Sequence, residues 1–473
     1  MGDSLNGRPY RSLRAGAAQV LTGRTTKARL IRGTGGTFVL RLTNMALKFA
    51  TSLILARLLG AGHYGVFNFA QAWILLLIIP ATAGFDRLLI RDLSAYLTEE
   101  AWPAMRGLLR FATRWALILS AGLVVLGLAA AWLTYALTGR PALLNAEQAG
   151  LSRAALITLA VALLVLPPRA LTLIQQSAMQ GLRHVVLGQV PDQVLQPALF
   201  LAAVSIAYLA GRAVASAQAA MALFVAATLL ALAFSAWRLR RALPPAVRAV
   251  APVSEGRAWL ISAIPFALTQ GLIVLNVQVD SLMLGTLDSA EAVAYYTVTQ
   301  RLTMLITLPL ISVGVALAPH IASLHAAGQR HELQRAVTGS TRLALGAALP
   351  VTLLYVAAGT FFLGLFGAEY RVARTALAIF SLGQLVNAAT GPVGPLLLMT
   401  GHERAATLTT GLGVALHIVL NALLIPLWSI EGAAVAGGIS IAAVNLTLAA
   451  LAWRRLRINT LPVGGGRAVV GDQ

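Results

Sequence analysis

The chain has 473 residues, 58% of them hydrophobic and 11% charged, and a mean hydropathy of +0.78, which excludes a water-soluble globular protein. Its formal net charge of +20 does not point to nucleic acid, because the arginines cluster between apolar runs, where membrane-surface loops collect them; phospholipid headgroups are the expected partner. With no cysteine there is no disulfide framework, thiolate metal site or cysteine nucleophile.

Residues 1–32 are basic but lack the apolar core and small-residue cleavage site of a signal peptide, so they are expected to form a disordered cytoplasmic tail. Spans of membrane-crossing length follow near 33–59, 64–84, 108–137, 150–174, 187–210 and 214–238, completing an N-terminal lobe over 33–242. Arg238, Arg240, Arg241, Pro244, Pro245, Arg248, Pro252 and Arg257 then make a charged, proline-punctuated connector, 243–257, that cannot remain in the membrane. Six more spans, near 258–285, 292–318, 336–362, 374–400, 404–427 and 431–453, give a C-terminal lobe over 258–457 and a cytoplasmic tail over 458–473. The expected fold is an all-α polytopic membrane protein of about twelve transmembrane helices in two six-helix lobes around a central cavity.

Charge placement agrees with that count. With residue 1 inside, the inner side holds Arg87, Arg91, Arg106, Arg110, Arg183, the connector, Arg330, Arg335, Arg404, Arg454, Arg455 and Arg457, whereas the outer side holds mainly Arg140, Arg212, Arg371 and Arg374 among several acids. The two halves also resemble each other. LLGAGHYGVFNFAQAWILLLIIP aligns with MLGTLDSAEAVAYYTVTQRLTMLITLP once four residues are inserted after the Leu-Gly, matching Gly60 to Gly285, Gln71 to Gln300 and Pro80 to Pro309. Six spans return the chain to its starting side, so the implied pseudo-two-fold axis lies along the membrane normal.

Polar residues inside the spans are the candidates for function, since each is costly in lipid. Thr37, Arg41, Asn44, Lys48 and Thr51 recur at helical spacing and share one face of the first helix, a stripe suited to a wet, basic cavity wall that attracts an anion. The alternative is that Arg41 snorkels to headgroups and Lys48 pairs with an acid. Asp280 shares a face with Asn276 and Thr269 and can hold a coupling proton, or form an interhelical ion pair with Arg301 or Lys48. Thr299, Gln300, Arg301, Thr303 and Thr307 form a polar band on the eighth helix that can donate to phosphate or sugar, or turn back onto helix carbonyls. Gln384 with Asn387, and His417 with Asn421, have the spacing of pairs that glue helices together. Gln189, Asp192 and Gln196, near the inner end of the fifth helix, can meet headgroups or a substrate diphosphate but receive no assignment. Pro167, Pro168, Pro265 and Pro309 are candidate kinks.

ILARLLGAGHYGVFNFAQA followed by GFDRLLIRDLS, with Arg57, Leu59, Gly60, Tyr64, Gly65, Gly84, Arg87 and Arg91, resembles the opening of bacterial polysaccharide flippases, the Wzx-type branch of the multidrug/oligosaccharidyl-lipid/polysaccharide (MOP) exporter superfamily. NVQVDSLMLGTLDSAEAVAYYTVTQRL, with Asp280, Leu284, Gly285 and Tyr295, is similar to that family's seventh helix and the turn after it. The resemblance implies a V-shaped pair of lobes in the bacterial inner membrane that moves undecaprenyl-diphosphate-linked oligosaccharide, such as an O-antigen or exopolysaccharide repeat unit. On that reading Arg41, Asn44, Lys48, Asn276, Gln300 and Arg301 are the substrate-binding candidates and Asp280 the ion-coupling one, with H+ or Na+ as the coupling ion. A cation-coupled drug exporter of the same superfamily is the alternative. A membrane glycosyltransferase or ligase fits poorly, because there is no Asp-x-Asp, no His/Glu metal spacing and no long outer loop; the first is expected at only Ala61 to His63. The glycine-rich pieces lack the Lys-Ser/Thr of a phosphate loop, so no nucleotide or other cofactor is expected and energy must come from a gradient.

Overall fold

The structure, a computed structural model, describes residues 26–138, 149–210 and 216–462. The expected tail 1–32 lies outside these as far as residue 25, and residues 26–32 extend the first helix. That helix, α1 (Thr26–Thr82), breaks at Gly60, where φ is 66° and ψ 171°. A side chain there is strained because positive φ brings Cβ against the backbone. The Ser52 and Tyr64 hydroxyls hydrogen-bond each other, whereas in a straight helix they would lie about 18 Å apart, so the chain doubles back and α1 supplies two crossings. The expected loop over Ala61–His63 is instead a one-residue break.

After α1 come α2 (Phe85–Thr98) and α3 (Trp102–Thr138), and a fourth crossing split into α4 (Ala149–Leu163) and α5 (Leu166–Gly181). The split at Leu164–Val165 falls just before Pro167 and Pro168, which occupy the first turn of α5, where a missing N–H costs no intrahelical bond. The fifth crossing joins α6 (Val185–Val190), a π-helical turn at Pro191–Leu195 and α7 (Gln196–Leu209). It is followed by α8 (Ala217–Ala242) and the short α9 (Pro245–Ala249) in the connector. The second half comprises α10 (Gly256–Leu287), α11 (Ala290–Ala326), α12 (Arg330–Gly364), a 3-10 turn at Ala368–Ala373, α13 (Arg374–Thr390), α14 (Val393–Met399) and α15 (Glu403–Leu456). In α15 the chain reverses at Trp428 and Ser429, bringing Gly432 against the Leu424 carbonyl. Among the described residues ten helices are long and apolar enough to cross a membrane. Two of them, broken at Gly60 and at Trp428–Ser429, each cross twice, which gives the twelve expected crossings.

An even count returns residue 456 to the side on which α1 begins, the near side; the turns at Gly60, Asp288 and Ser429 lie on the far side. There the lobes share one core. A Cβ on Gly65 would lie 1.7 Å from the Ala290 carbonyl oxygen and one on Gly285 would strike the Phe69 ring, so the two Leu-Gly hairpins interlock. Arg57 Nε donates to the Leu365 carbonyl (2.6 Å) and the Ala61 N–H to Glu369 (2.9 Å), while the Tyr64 and Tyr370 rings meet edge-on. On the near side Ile321, Leu333, Leu396, Leu397 and Leu448 form a separate core within the C-terminal lobe alone. Among the described residues it is the start of α10 that stays with the N-terminal lobe on this side, through Gly84 against Ala263 and Trp259 against Phe111. The lobes are therefore joined on the far side and parted on the near side.

Two near-side features differ from the expected simple loops. Helix α2 is amphipathic: Phe85, Leu88, Leu89 and Leu93 are buried while Arg87 and Arg91 are exposed, Arg87 reaching Gln270 and Arg91 lying over the Phe266 ring. After α15, residues 457–462 run along α12, where Gln334 takes both the carbonyl and the N–H of Asn459, and Arg342 bonds the Pro462 carbonyl. Irregular backbone at this depth is tolerated only against protein or water.

Candidate functional site

A cavity of about 140 Å³ opens inside the N-terminal lobe, walled by both halves of α1, by α5, the π turn, α7 and α8, and by Arg301 of α11. Lys48, Arg169 and Arg301 line it with one acid, Asp192, and with Asn68, Gln71 and Gln196. Phe67, Phe200 and Phe224 pack against one another as its apolar wall. Lys48 lies twelve residues before Gly60, about 18 Å along the helix and so near mid-membrane.

The π turn explains how Asp192 comes to face this space. Pro197 has no N–H to offer the Gln193 carbonyl, and the Gln196 N–H instead reaches back five residues to Pro191. The freed Gln193 carbonyl is taken by the Asn44 amide of α1 at 2.8 Å. Asp192 then lies with Oδ1 2.7 Å from Arg169 Nη1. Gln196 Nε2 and Arg301 Nε are buried with no hydrogen-bond partner among the described residues, two donors on cavity-lining side chains. Replacing Asn44 by Ala should lower the unfolding free energy in detergent by about 1–2 kcal/mol, because it strands a buried carbonyl; an unchanged melting temperature would refute this account.

A second polar cluster lies in the C-terminal lobe. Asp280 of α10, 3% exposed, accepts from Asn421 (2.7 Å) and Tyr296 (2.9 Å), and its Oδ1 lies 2.8 Å from His417 Nε2. The expected ion pair of Asp280 with Arg301 or Lys48 does not form, because Arg301 points from α11 into the other lobe's cavity, five residues and about 140° of helix beyond Tyr296.

The expected site residues thus divide. Lys48 and Arg301 meet in the cavity. Asn44 is buried and committed to the Gln193 carbonyl. Arg41, exposed like Lys48, lies two turns nearer the near side on the same face of α1 and does not line the cavity. Gln300 is half-buried one turn from Tyr296, and Asn276 is exposed one turn from Asp280; neither lines the cavity. Thr299, Thr303 and Thr307 bond carbonyls of their own helix, the less specific of their two expected roles. Asn387 bonds Gln384 within α13, in place of the expected contact to another helix. The pair Arg169 and Asp192 went unassigned, although an acid between two prolines, PDQVLQP, within an apolar helix was a usable signal.

Comparison with known proteins agrees with this architecture. The model of the family described as polysaccharide biosynthesis protein matches residues 30–325, and the MatE family model matches residues 265–423. No curated protein sequence matches the chain. Among solved structures, lipid II flippase MurJ in an inward closed conformation superposes with a TM-score of 0.69 at 13% identity, over 88% of this chain and 86% of its own. A multidrug resistance MATE family transporter of the MOP superfamily, in an inward-facing conformation, gives 0.67 at 16% identity over 89% and 98%. A MOP superfamily transporter from Pyrococcus furiosus, described as having a binding pocket of reverse polarity, gives 0.62 at 15% identity over 93% and 97%. At such identities the superpositions establish the two-lobed fold, and because the first family model spans more than half of the sequence, this chain belongs to the polysaccharide biosynthesis protein family.

Proposed function

We propose that the protein is a flippase that carries polyprenyl-diphosphate-linked oligosaccharide, an O-antigen or exopolysaccharide repeat unit, across the bacterial inner membrane by alternating access. The observation that carries this reading is the cavity's charge, three cations against one carboxylate. Two opposite charges 4 Å apart attract by about 1 kcal/mol in water but about 4 kcal/mol at the effective dielectric of a protein, so such a pocket holds a diphosphate that bulk solvent would not. The same charge disfavours an organic cation, which argues against a drug exporter. At about 140 Å³ the pocket has room for part of a headgroup only, with Arg41 as a cation on the approach from the near side. The arginine-rich near side is then cytoplasmic, with both termini there and the lobes near 33–242 and 258–457 parted towards it.

Coupling is assigned to Asp280, with H+ as the ion: an imidazole and two donors already surround the carboxylate, leaving it suited to exchanging a proton rather than to ligating Na+. Helix α11 carries Tyr296 on the face towards Asp280 and Arg301 on the face towards the cavity, so one rigid element joins the two sites.

Vesicles reconstituted with the protein and a fluorescent polyprenyl-diphosphate glycan test this directly. Wild type should move the glycan, with a rate that follows a proton gradient and not a sodium gradient. Lys48→Ala and Arg301→Ala should each slow it at least about tenfold, the loss of one charge-assisted contact, while Arg41→Ala should cost less. Wild-type rates from both cavity variants, or transport of an organic cation in place of the glycan, would overturn the reading.

A further inference from the structure

The cation cluster contains its own anion. Among the described residues Asp192 is the one acid lining the cavity, and the charged groups around it come from three different elements: Lys48 on α1, Arg169 on α5 and Arg301 on α11. Its carboxylate is close to Arg169, 2.7 Å, yet Oδ1 makes no aligned hydrogen bond, and Oδ2 has only the Gln193 amide at 3.2 Å. A structural Arg–Asp pair is normally fork to fork, with parallel N–H···O bonds. This one is held by charge alone, in a space where the unpaired Gln196 and Arg301 donors are also unsatisfied.

We infer that Asp192 is the specificity-determining residue of the cavity, an internal stand-in for the ligand's phosphate that occupies Arg169 while the cavity is empty and gives it up when a diphosphate diester binds. The inference rests on the proposed function and deepens it. Ligand and carboxylate compete for one guanidinium. When the ligand wins, Asp192 is left beside two negative phosphates without its cation, and it takes up a proton, becoming a neutral carboxylic acid that can donate to a phosphate oxygen. By linkage, a site that gains one proton on binding loses affinity as pH rises. A neutral or weakly charged ligand cannot displace the carboxylate and is refused, while a diphosphate is admitted. The positively charged cavity is therefore partly self-neutralised at rest, which lowers the cost of holding three cations within the membrane.

Full-length protein in nanodiscs, titrated calorimetrically with farnesyl-diphospho-N-acetylglucosamine, tests the exchange. Each phosphorus of this probe carries one ester and one anhydride link, so it lacks the second ionisation near about pH 6 of a phosphomonoester and brings no proton change of its own. In buffers of different ionisation enthalpy, wild type should take up close to one proton per probe bound, and affinity should fall up to about tenfold per pH unit on the alkaline side. Asp192→Asn should bind more tightly by at least about tenfold and take up about one proton fewer per probe than wild type. Wild-type binding without proton uptake overturns the inference without recourse to any variant, as does an Asp192→Asn protein that folds yet takes up as many protons as wild type or binds more weakly, the result of a purely structural ion pair. Absence of binding by wild type would instead remove the proposed function, and this inference with it.

Discussion

Gly65→Val should hold the far side of the protein open and abolish transport. Even the first side-chain carbon at this position would lie 1.7 Å from the Ala290 carbonyl oxygen, and the obstacle is backbone of the opposite lobe, which cannot rotate away as a side chain can. Overpacking a core costs about 1–3 kcal/mol where neighbours can adjust. Here the cheaper relief is separation of the lobes. That would break the Arg57–Leu365 and Ala61–Glu369 hydrogen bonds and uncover Ala56, whose carbonyl receives the Tyr370 hydroxyl. The chain contains no cysteine, so Ala56→Cys can be introduced without removing any native thiol. Labelling of that cysteine by a membrane-impermeant maleimide should be slow in the parent and at least about 100-fold faster with Gly65→Val, the ratio that about 2.7 kcal/mol produces. Equal labelling rates would mean that the lobes can meet without this backbone contact.

Asp280→Asn should leave the protein folded and remove its response to a proton gradient, whereas Asp280→Ala should cost about 3–5 kcal/mol of stability. The carboxylate collects Asn421, Tyr296 and His417, all buried, and deleting it strands these polar groups together. The asparagine keeps the size and one acceptor oxygen but cannot exchange a proton. Melting temperature in detergent and flipping rate against pH gradient separate the two effects. A gradient-driven Asp280→Asn protein would place the coupling proton elsewhere, and Asp192 is the next candidate, since it faces the cavity from the other lobe.

The two polar sites lie in different lobes, and α11 is the element common to both. Tyr296 holds one face of it to Asp280 and Arg301 presents the other to Lys48 and Arg169. A change in charge at Asp280 that shifts α11 against α10 would move a cavity cation directly. Arg301→Lys, which keeps the charge but loses the guanidinium fork, should therefore lower the flipping rate less than Arg301→Ala and leave the proton response intact, as read in the same vesicles.

The sequence by itself determined the number of crossings, the division into two lobes and the near-side clustering of arginine, because burying apolar residues in lipid is decided segment by segment and needs no partner. It also placed Lys48 and Arg301 among the residues that had to face water, since a cation within a span has few other places to go. What only the tertiary structure decided is which polar groups meet. Asn44 shares a face with Lys48 yet is consumed by a carbonyl that Pro197 leaves bare, and Asp280 found His417, 137 residues away in the chain, rather than a nearer arginine. Helical spacing specifies the direction of a side chain to within a fraction of a turn but says nothing about which helix stands opposite. That choice belongs to close backbone approaches such as Gly65 on Ala290 and Gly84 on Ala263, where contact over a whole interface sets the helix order and the pairing of buried charges follows from it.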